Sequence, residues 1–185
     1  METARTLAEG SYLGLYERDG WEFAERPNAN GVVGILALTS ENEVVLVEQF
    51  RRPVNTPVIE IPAGLVGDEE AHRGESLAET ARRELLEEAG YEALSVELLL
   101  SAPTSAGMTP EITHLFLARD LHRVDAGGGV GGENIIVHHV PLGELRRWLR
   151  EKEEAGALVD FKIHAALWLA GHFDNGLALR DHGLQ

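Results

Sequence analysis

The first half of the chain is written in short apolar and polar runs separated by turn residues, the pattern of strands. Such runs cover residues 11–17, 21–26, 31–39 and 43–50, broken by Asp19-Gly20 and by Ser40-Glu41-Asn42. Val32, Val33, Ile35, Leu36 and Leu38 are nearly continuous, which suits a strand covered on both faces. Pro53 and Pro57 bracket a loop, and a short extended segment over 58–66 follows, with Pro62 and Gly64 in it. At Gly74 the period changes. Leu77, Ala81, Leu85 and Ala89 recur at helical spacing, Ser76 and Glu79 form a capping box, and Gly90 stands where a helix-ending glycine belongs, so a helix is predicted up to residue 89. Further strands are predicted over 95–102, 113–118 and 134–140, and two helices over 142–154 and 160–173.

Strands, helix, strands and helices in that order imply an α+β fold, an α/β/α sandwich with a mixed sheet between helices. Composition agrees: 185 residues with 44% hydrophobic and 25% charged side chains are enough for one domain with its own core. No internal repeat or linker divides the chain. The run 127–132 is almost all glycine but lacks the lysine and hydroxyl residue of a phosphate loop, and is expected to be a mobile surface loop.

Charge narrows the partners. Against 31 acidic residues stand 16 basic ones, a formal net charge of −15, and no basic stripe interleaved with aromatics is present, so nucleic acid is not an expected partner. There is no cysteine, hence no disulfide framework and no thiolate metal site. No secretory apolar segment opens the chain and no apolar run approaches the ~18 residues of a membrane helix, so no membrane partner and a cytoplasmic location are expected.

The chemistry concentrates in the predicted helix. Residues at i, i+3 and i+4 share a helix face, so Glu84, Glu87 and Glu88 bring three carboxylates together. Their repulsion costs the helix a few tenths of a kcal/mol per pair, and is relieved when a cation sits among them. Glu75, eight residues before Arg83, and the string Arg83-Glu84-Leu85-x-Glu87-Glu88-x-Gly90 resemble the signature of the Nudix hydrolase family, G-x5-E-x7-R-E-U-x-E-E-x-G-U. The opening glycine of that pattern would fall at Glu69; Gly64 is its counterpart if about five residues are inserted within 67–73, and Tyr91 replaces the final aliphatic residue. Upstream, Gln49-Phe50-Arg51 and Glu60-Ile61-Pro62-Ala63-Gly64 resemble the ADP-ribose pyrophosphatase branch. So do the loop Ser105-Ala106-Gly107-Met108-Thr109-Pro110-Glu111, where Ala106 replaces a proline, and the stretch from Glu133 to Val140.

The resemblance implies a Nudix domain over 31–175, preceded by N-terminal strands over 1–30 that take part in a homodimer and followed by a polar tail over 176–185. It implies that Glu84, Glu87 and Glu88, with the Ala63 carbonyl, hold Mg2+ or Mn2+, and that Arg83 is structural, pairing with Glu75 or Glu87. Glu133 and Glu111 are the candidates for general base, Glu133 being preferred because neighbouring glycines would let its loop close. Arg51 is expected to contact phosphate or ribose, with Arg52 exposed. Gly107 belongs to the implied substrate loop. Trp21 and Phe23 could stack a nucleobase or pack in the core, whereas Trp148 and Trp168 fall on apolar helix faces and are expected in the core. His138 and His139, adjacent on a strand, point to opposite faces and cannot chelate one ion.

The implied activity is Mg2+-dependent hydrolysis of a nucleoside diphosphate sugar, foremost ADP-ribose to AMP and ribose 5-phosphate. Two alternatives stand beside it: another substrate such as GDP-mannose or a dinucleotide, and an ADP-ribose-binding module that does not cleave.

Overall fold

The computed structural model describes residues 3–68, 72, 74–130 and 132–172; the expected polar tail, and residues 69–71 and 73 of the expected insertion, lie outside them. Three strands open the chain as a separate antiparallel sheet: β1 (Arg5–Glu9), β2 (Gly14–Arg18) and β3 (Trp21–Glu25). β1 has no counterpart in the sequence reading, and β2 starts three residues later than expected. Residues 11–13 instead close a hairpin in which Gly10 N–H donates to Leu13 O at 2.8 Å. The sheet is exposed on most positions, so no apolar alternation marks β1.

The main sheet has eight strands. Those in its continuous path are β4 (Val32–Leu38), β5 (Glu43–Arg51), β6 (Thr56–Glu60), β8 (Tyr91–Pro103), β9 (Ile112–Arg123) and β11 (Leu158–Val159), in the order β11-β6-β5-β4-β9-β8. The short β7 (Ala63–Leu65) pairs with β4, and β10 (Ile136–Pro141) with β5. β4 runs parallel to β9 and antiparallel to β5 and β7, so the expected mixed sheet is present. β8 and β9 are much longer than the predicted segments over 95–102 and 113–118. The end of β9 carries mostly exposed positions that hide its strand pattern, and at the start of β8 the exposed Leu94 breaks the apolar–polar alternation in the sequence.

The helices are α1 (Leu77–Ala89), α2 (Leu145–Glu154) and α3 (Phe161–Leu169). The capping box of α1 is formed on both sides: Glu79 N–H donates to Ser76 Oγ at 3.3 Å and Ser76 N–H to Glu79 Oε2 at 2.7 Å. α2 starts at Leu145 rather than 142, because residues 141–144 form a turn closed by Glu144 N–H on Pro141 O. α3 is capped by Asp160, whose carboxylate accepts from Lys162 N–H at 2.7 Å. None of these helices is long and apolar enough to cross a membrane.

The sheet separates two cores. Val33, Ile35, Ala37 and Val45 pack with Ala81, Leu85 and Ala89 of α1, while Leu36, Leu38, Val44, Leu46 and Ile59 pack with Leu145, Leu149, Ile163 and Leu167 of α2 and α3. This is the strand period of two at work: alternate residues of β4 serve opposite layers. His138 and His139 obey the same rule. His138 contacts Glu48 at 2.9 Å and the Trp148 ring, whereas His139 meets Tyr91 Oη at 2.8 Å. Trp168 departs from expectation and is 64% exposed, because α3 turns Ile163, Ala166 and Leu167 inward and residue 168 away.

The glycine-rich stretch is also not the loose loop expected. Its described residues are tied to the end of α1, Gly128 N–H donating to Glu88 O at 2.8 Å and Gly129 N–H to Glu87 O at 3.0 Å.

Candidate active site

The site is built where the second half of α1 lies over β7. Ala81, Leu85 and Ala89 form the buried stripe of the helix, and Glu88, three residues after Leu85, falls on that stripe and is only 6% exposed. An isolated carboxylate there would be expensive. The backbone supplies a donor to it: Ala63 N–H on Glu88 Oε2 at 2.9 Å. Burial pushes the Glu88 carboxyl up to about 8, and Glu84 and Glu133 add to the rise while the Ala63 bond opposes it.

Glu84, one turn earlier, lies against β7. A Cβ added at Gly64 would sit 1.9 Å from the Glu84 carboxyl carbon, so any side chain here must push the Glu84 carboxylate aside. Burial pushes Glu84 up to about 7 against the pull of Arg83, with Glu87 and Asp68 adding repulsion.

Arg83 organises the remaining charges. Its Nη1 meets Glu84 at 2.8 Å and Glu87 at 3.1 Å, and its Nε meets Glu75 at 3.2 Å. Both partners anticipated from the sequence are present, and Glu84 is a third. Glu75 is further held by Thr80 Oγ1 at 3.2 Å and His72 Nδ1 at 2.7 Å; although desolvation acts against its charge, Arg83 and His72 keep its carboxyl below the usual range. Arg83 Nη2 is buried with no hydrogen-bond partner among the described residues.

This pairing splits the expected trio. Glu84 and Glu87 share Arg83 Nη1 while Glu88 is held by the Ala63 N–H, and among the described residues no three acidic or imidazole side chains are placed to hold an ion. The physical reason is like-charge repulsion together with the capture of two of the three carboxylates by one guanidinium. The donor set nevertheless fits a hard divalent cation. Two carboxyls, Glu88 buried and Glu84 half-buried, whose pKa values are raised into the neutral range supply hard oxygens that a cation would let ionise, and the space left by the missing Gly64 Cβ admits one of them beside the strand.

Arg51 and Glu60 add a second charged pair at the site. Arg51 Nε meets Glu60 Oε2 at 2.6 Å, and Glu60 is buried. Burial works against the Arg51 charge, but Glu60, with Glu88 and Asp160 behind it, more than offsets this and holds its pKa above the ordinary arginine value. Arg52, as expected, is exposed. In the sequence Glu60 stands out only as part of a motif; the signal for its role is an acid inside the apolar run Val58-Ile59-Glu60-Ile61, which a buried partner must explain.

Of the two candidate bases, the structure brings Glu133 to the carboxylate helix. It is close enough to raise the Glu88 pKa, its Oε2 accepts from Val130 N–H at 3.0 Å, and its carbonyl accepts from Gln49 Nε2 at 3.2 Å. Glu111 is committed elsewhere, with Arg26 Nε at 3.2 Å and Thr104 Oγ1 at 3.4 Å.

Trp21 is 68% exposed, which removes it from the core, and it lines one cleft with Phe23, Gly107 and Pro110. Arg26, Asn30 and Glu111 line an adjoining cleft that shares Thr109 and Pro110 with the first. Both lie between the N-terminal sheet and the loop 104–111, which Ala24 N–H joins to Met108 O at 2.9 Å.

The chain resembles known proteins in sequence and in fold. A model of the NUDIX domain family matches residues 29–162. ADP-ribose pyrophosphatase of Bacillus subtilis (strain 168) is 37% identical over 168 residues, covering 85% of this chain and 86% of the relative. The methanol dehydrogenase activator of Bacillus methanolicus is 37% identical over 123 residues, 66% of this chain, and the chain spans 64% of that relative's length. GDP-mannose pyrophosphatase of Escherichia coli (strain K12) is 33% identical over 132 residues, 67% of this chain and 66% of the relative. A solved structure of an ADP compounds hydrolase superposes with a TM-score of 0.65 over 92% of this chain and 95% of the other, at 19% identity, a likeness of fold.

Proposed function

Because the chain belongs to the Nudix family and is a Nudix hydrolase, we propose that it cleaves the pyrophosphate bond of a nucleoside diphosphate sugar, foremost ADP-ribose, with a divalent cation, foremost Mg2+. The observation that carries the reading is the pair of carboxyls, buried Glu88 and half-buried Glu84, held under the Ala63-Gly64 backbone. The choice of substrate is supported by the long match to an ADP-ribose pyrophosphatase, which covers 85% of this chain.

Glu84, Glu87 and Glu88, with the Ala63 carbonyl, would hold the cation. When bound it supplies neutralisation of the pyrophosphate charge and a water of lowered pKa. The chain's own residues do the rest. Arg83 fixes the face of α1 through Glu75 and, in this state, restrains Glu84 and Glu87. Arg51, anchored through Nε to Glu60, offers its terminal nitrogens to a phosphate oxygen. Glu133 takes the proton of the attacking water. Trp21 supplies a face on which the base stacks, beside Gly107.

The N-terminal sheet carries exposed Tyr12, Leu13, Leu15 and Trp21, which supports its assignment to a homodimer contact. Light scattering at working concentration tests this: twice the 20.2 kDa chain mass is expected, and a monomer overturns it.

The activity is tested by incubating the protein with Mg2+ and ADP-ribose, GDP-mannose, UDP-glucose or a diadenosine polyphosphate, with a chelator control, and separating the products. Metal-dependent AMP from ADP-ribose is the expected result. Preference for GDP-mannose would keep the chemistry and replace the substrate. No turnover, with ADP-ribose still raising the melting temperature, would favour the binding module.

A further inference from the structure

Helix α1 has no basic residue in its last turn, and backbone donors meet its terminal carbonyls. Gly90 N–H serves Leu86 O at 2.9 Å. The next two carbonyls are met from a distant part of the chain: Gly129 N–H on Glu87 O at 3.0 Å and Gly128 N–H on Glu88 O at 2.8 Å. The same segment carries Glu133. Its Oε2 is held by Val130 N–H and its carbonyl by Gln49 Nε2, while Ile135 N–H returns to Gly128 O at 3.3 Å.

Glycine is required for this contact. A Cβ at Gly127, whose φ is +67°, would stand 2.5 Å from Glu88 O, and one at Gly129, whose φ is +78°, would stand 2.3 Å from Glu133 Oε2. Any side chain at either place lifts the segment off the helix or displaces the glutamate.

We infer that Gly127, Gly129 and Gln49 are positioning residues that strap the segment bearing Glu133 to the backbone of Glu87 and Glu88, so that the base and the helix carboxylates keep one fixed geometry. The inference rests on the proposed pyrophosphohydrolase reading for its catalytic consequence; the strap itself rests on backbone geometry. A base acts only within hydrogen-bond reach of the proton it takes, and a misplacement of about 1 Å costs on the order of a hundredfold in rate. Here that distance is set by the two bonds that also satisfy the end of the helix.

Two measurements test this. Amide exchange read residue by residue should show Gly128 and Gly129 protected in the wild-type protein; exchange at the unstructured rate overturns the strap, whatever the enzyme's activity. Next, kcat and KM on ADP-ribose are measured for Gly127→Ala and Gln49→Ala, each alone and combined with Glu133→Gln. Alone, Gly127→Ala should lower kcat at least tenfold and Gln49→Ala severalfold, with KM within twofold. In the Glu133→Gln background neither should lower kcat further, since the group they position is already gone. Equal losses in both backgrounds, losses confined to KM, or full activity of Glu133→Gln overturn the inference. Gln49→Ala, which removes one half-buried side chain, carries the kinetic test if Gly127→Ala fails to fold. A wild-type protein that cleaves none of the pyrophosphates refutes the proposed function, and amide exchange then decides the strap alone.

Discussion

Replacing Glu88 by Gln should stabilise the metal-free protein while removing its turnover. The native state holds the Glu88 proton more tightly than the unfolded chain, since burial raises its pKa from 4.5 to about 8. The stability tied to that proton is therefore fully present below about pH 4.5 and is lost as pH rises to about 8. At about 1.4 kcal/mol per tenfold change in proton affinity, the ceiling on the loss is about 5 kcal/mol. Relaxation and water entry around a buried charge reduce this to about 2 kcal/mol. Glutamine does not ionise and its amide oxygen can still accept the Ala63 N–H, so Glu88→Gln escapes the loss. For a chain of this size the gain corresponds to roughly 4–8 °C in Tm. The assay is thermal unfolding in chelator from pH 5 to pH 8.5: the variant's advantage should be near zero at the acid end and grow through neutrality. Added Mg2+ should then raise the wild-type Tm at pH 8.5, by about 2.7 kcal/mol of stability at a hundred times Kd, and leave the variant where it was. A variant that melts with the wild type at pH 8.5, or below it at every pH, would refute the claim that Glu88 is a strained buried charge.

Three further outcomes follow from other contacts. Gly64→Ala places a methyl 1.9 Å from the Glu84 carboxyl carbon, and should abolish both turnover and the Mg2+-induced rise in Tm; a variant that keeps that rise contradicts the packing of Glu84 on β7. Ser76→Ala removes one half of the capping box at the start of α1, and should cost about 1 kcal/mol, roughly 2–4 °C in Tm, with kcat unchanged. Trp21→Ala, at an exposed position, should leave Tm within a degree and raise KM for ADP-ribose by up to about tenfold, the worth of one aromatic stack; an unaltered KM removes Trp21 from the substrate cleft.

The helix that carries the carboxylates was legible because everything that defines it is local: a capping serine and glutamate, an apolar stripe at helical spacing and a terminal glycine. The mixed sheet followed from the order of strands and helices, and the run around Ile35 suited a strand covered on both faces. β1 was missed because its residues are mostly exposed and it gains its place by pairing with β2, a relation that periodicity does not record. Trp168 was misplaced because an apolar residue beside a buried stripe reads the same as one on it. At the site, the identities of Glu84, Glu87, Glu88 and Arg83 were readable, but their division was not: which carboxylates a guanidinium captures depends on the approach of β7 through Gly64. The role of the glycine-rich segment was hidden for a related reason, since its partners are main-chain carbonyls some forty residues away and any sequence supplies those.

The division of the interior by the sheet has a consequence for how such a protein can change over generations. Leu36, Leu38, Val44 and Leu46 answer to α2 and α3, and their alternation partners Val33, Ile35, Ala37 and Val45 answer to α1. Repacking the first set leaves the bed of the carboxylate helix untouched. The α2–α3 layer is thus a reservoir of stability that mutation can fill without touching chemistry, and a lineage that has filled it is free to spend substitutions on the clefts around Trp21 and Glu111, where a new substrate would be won.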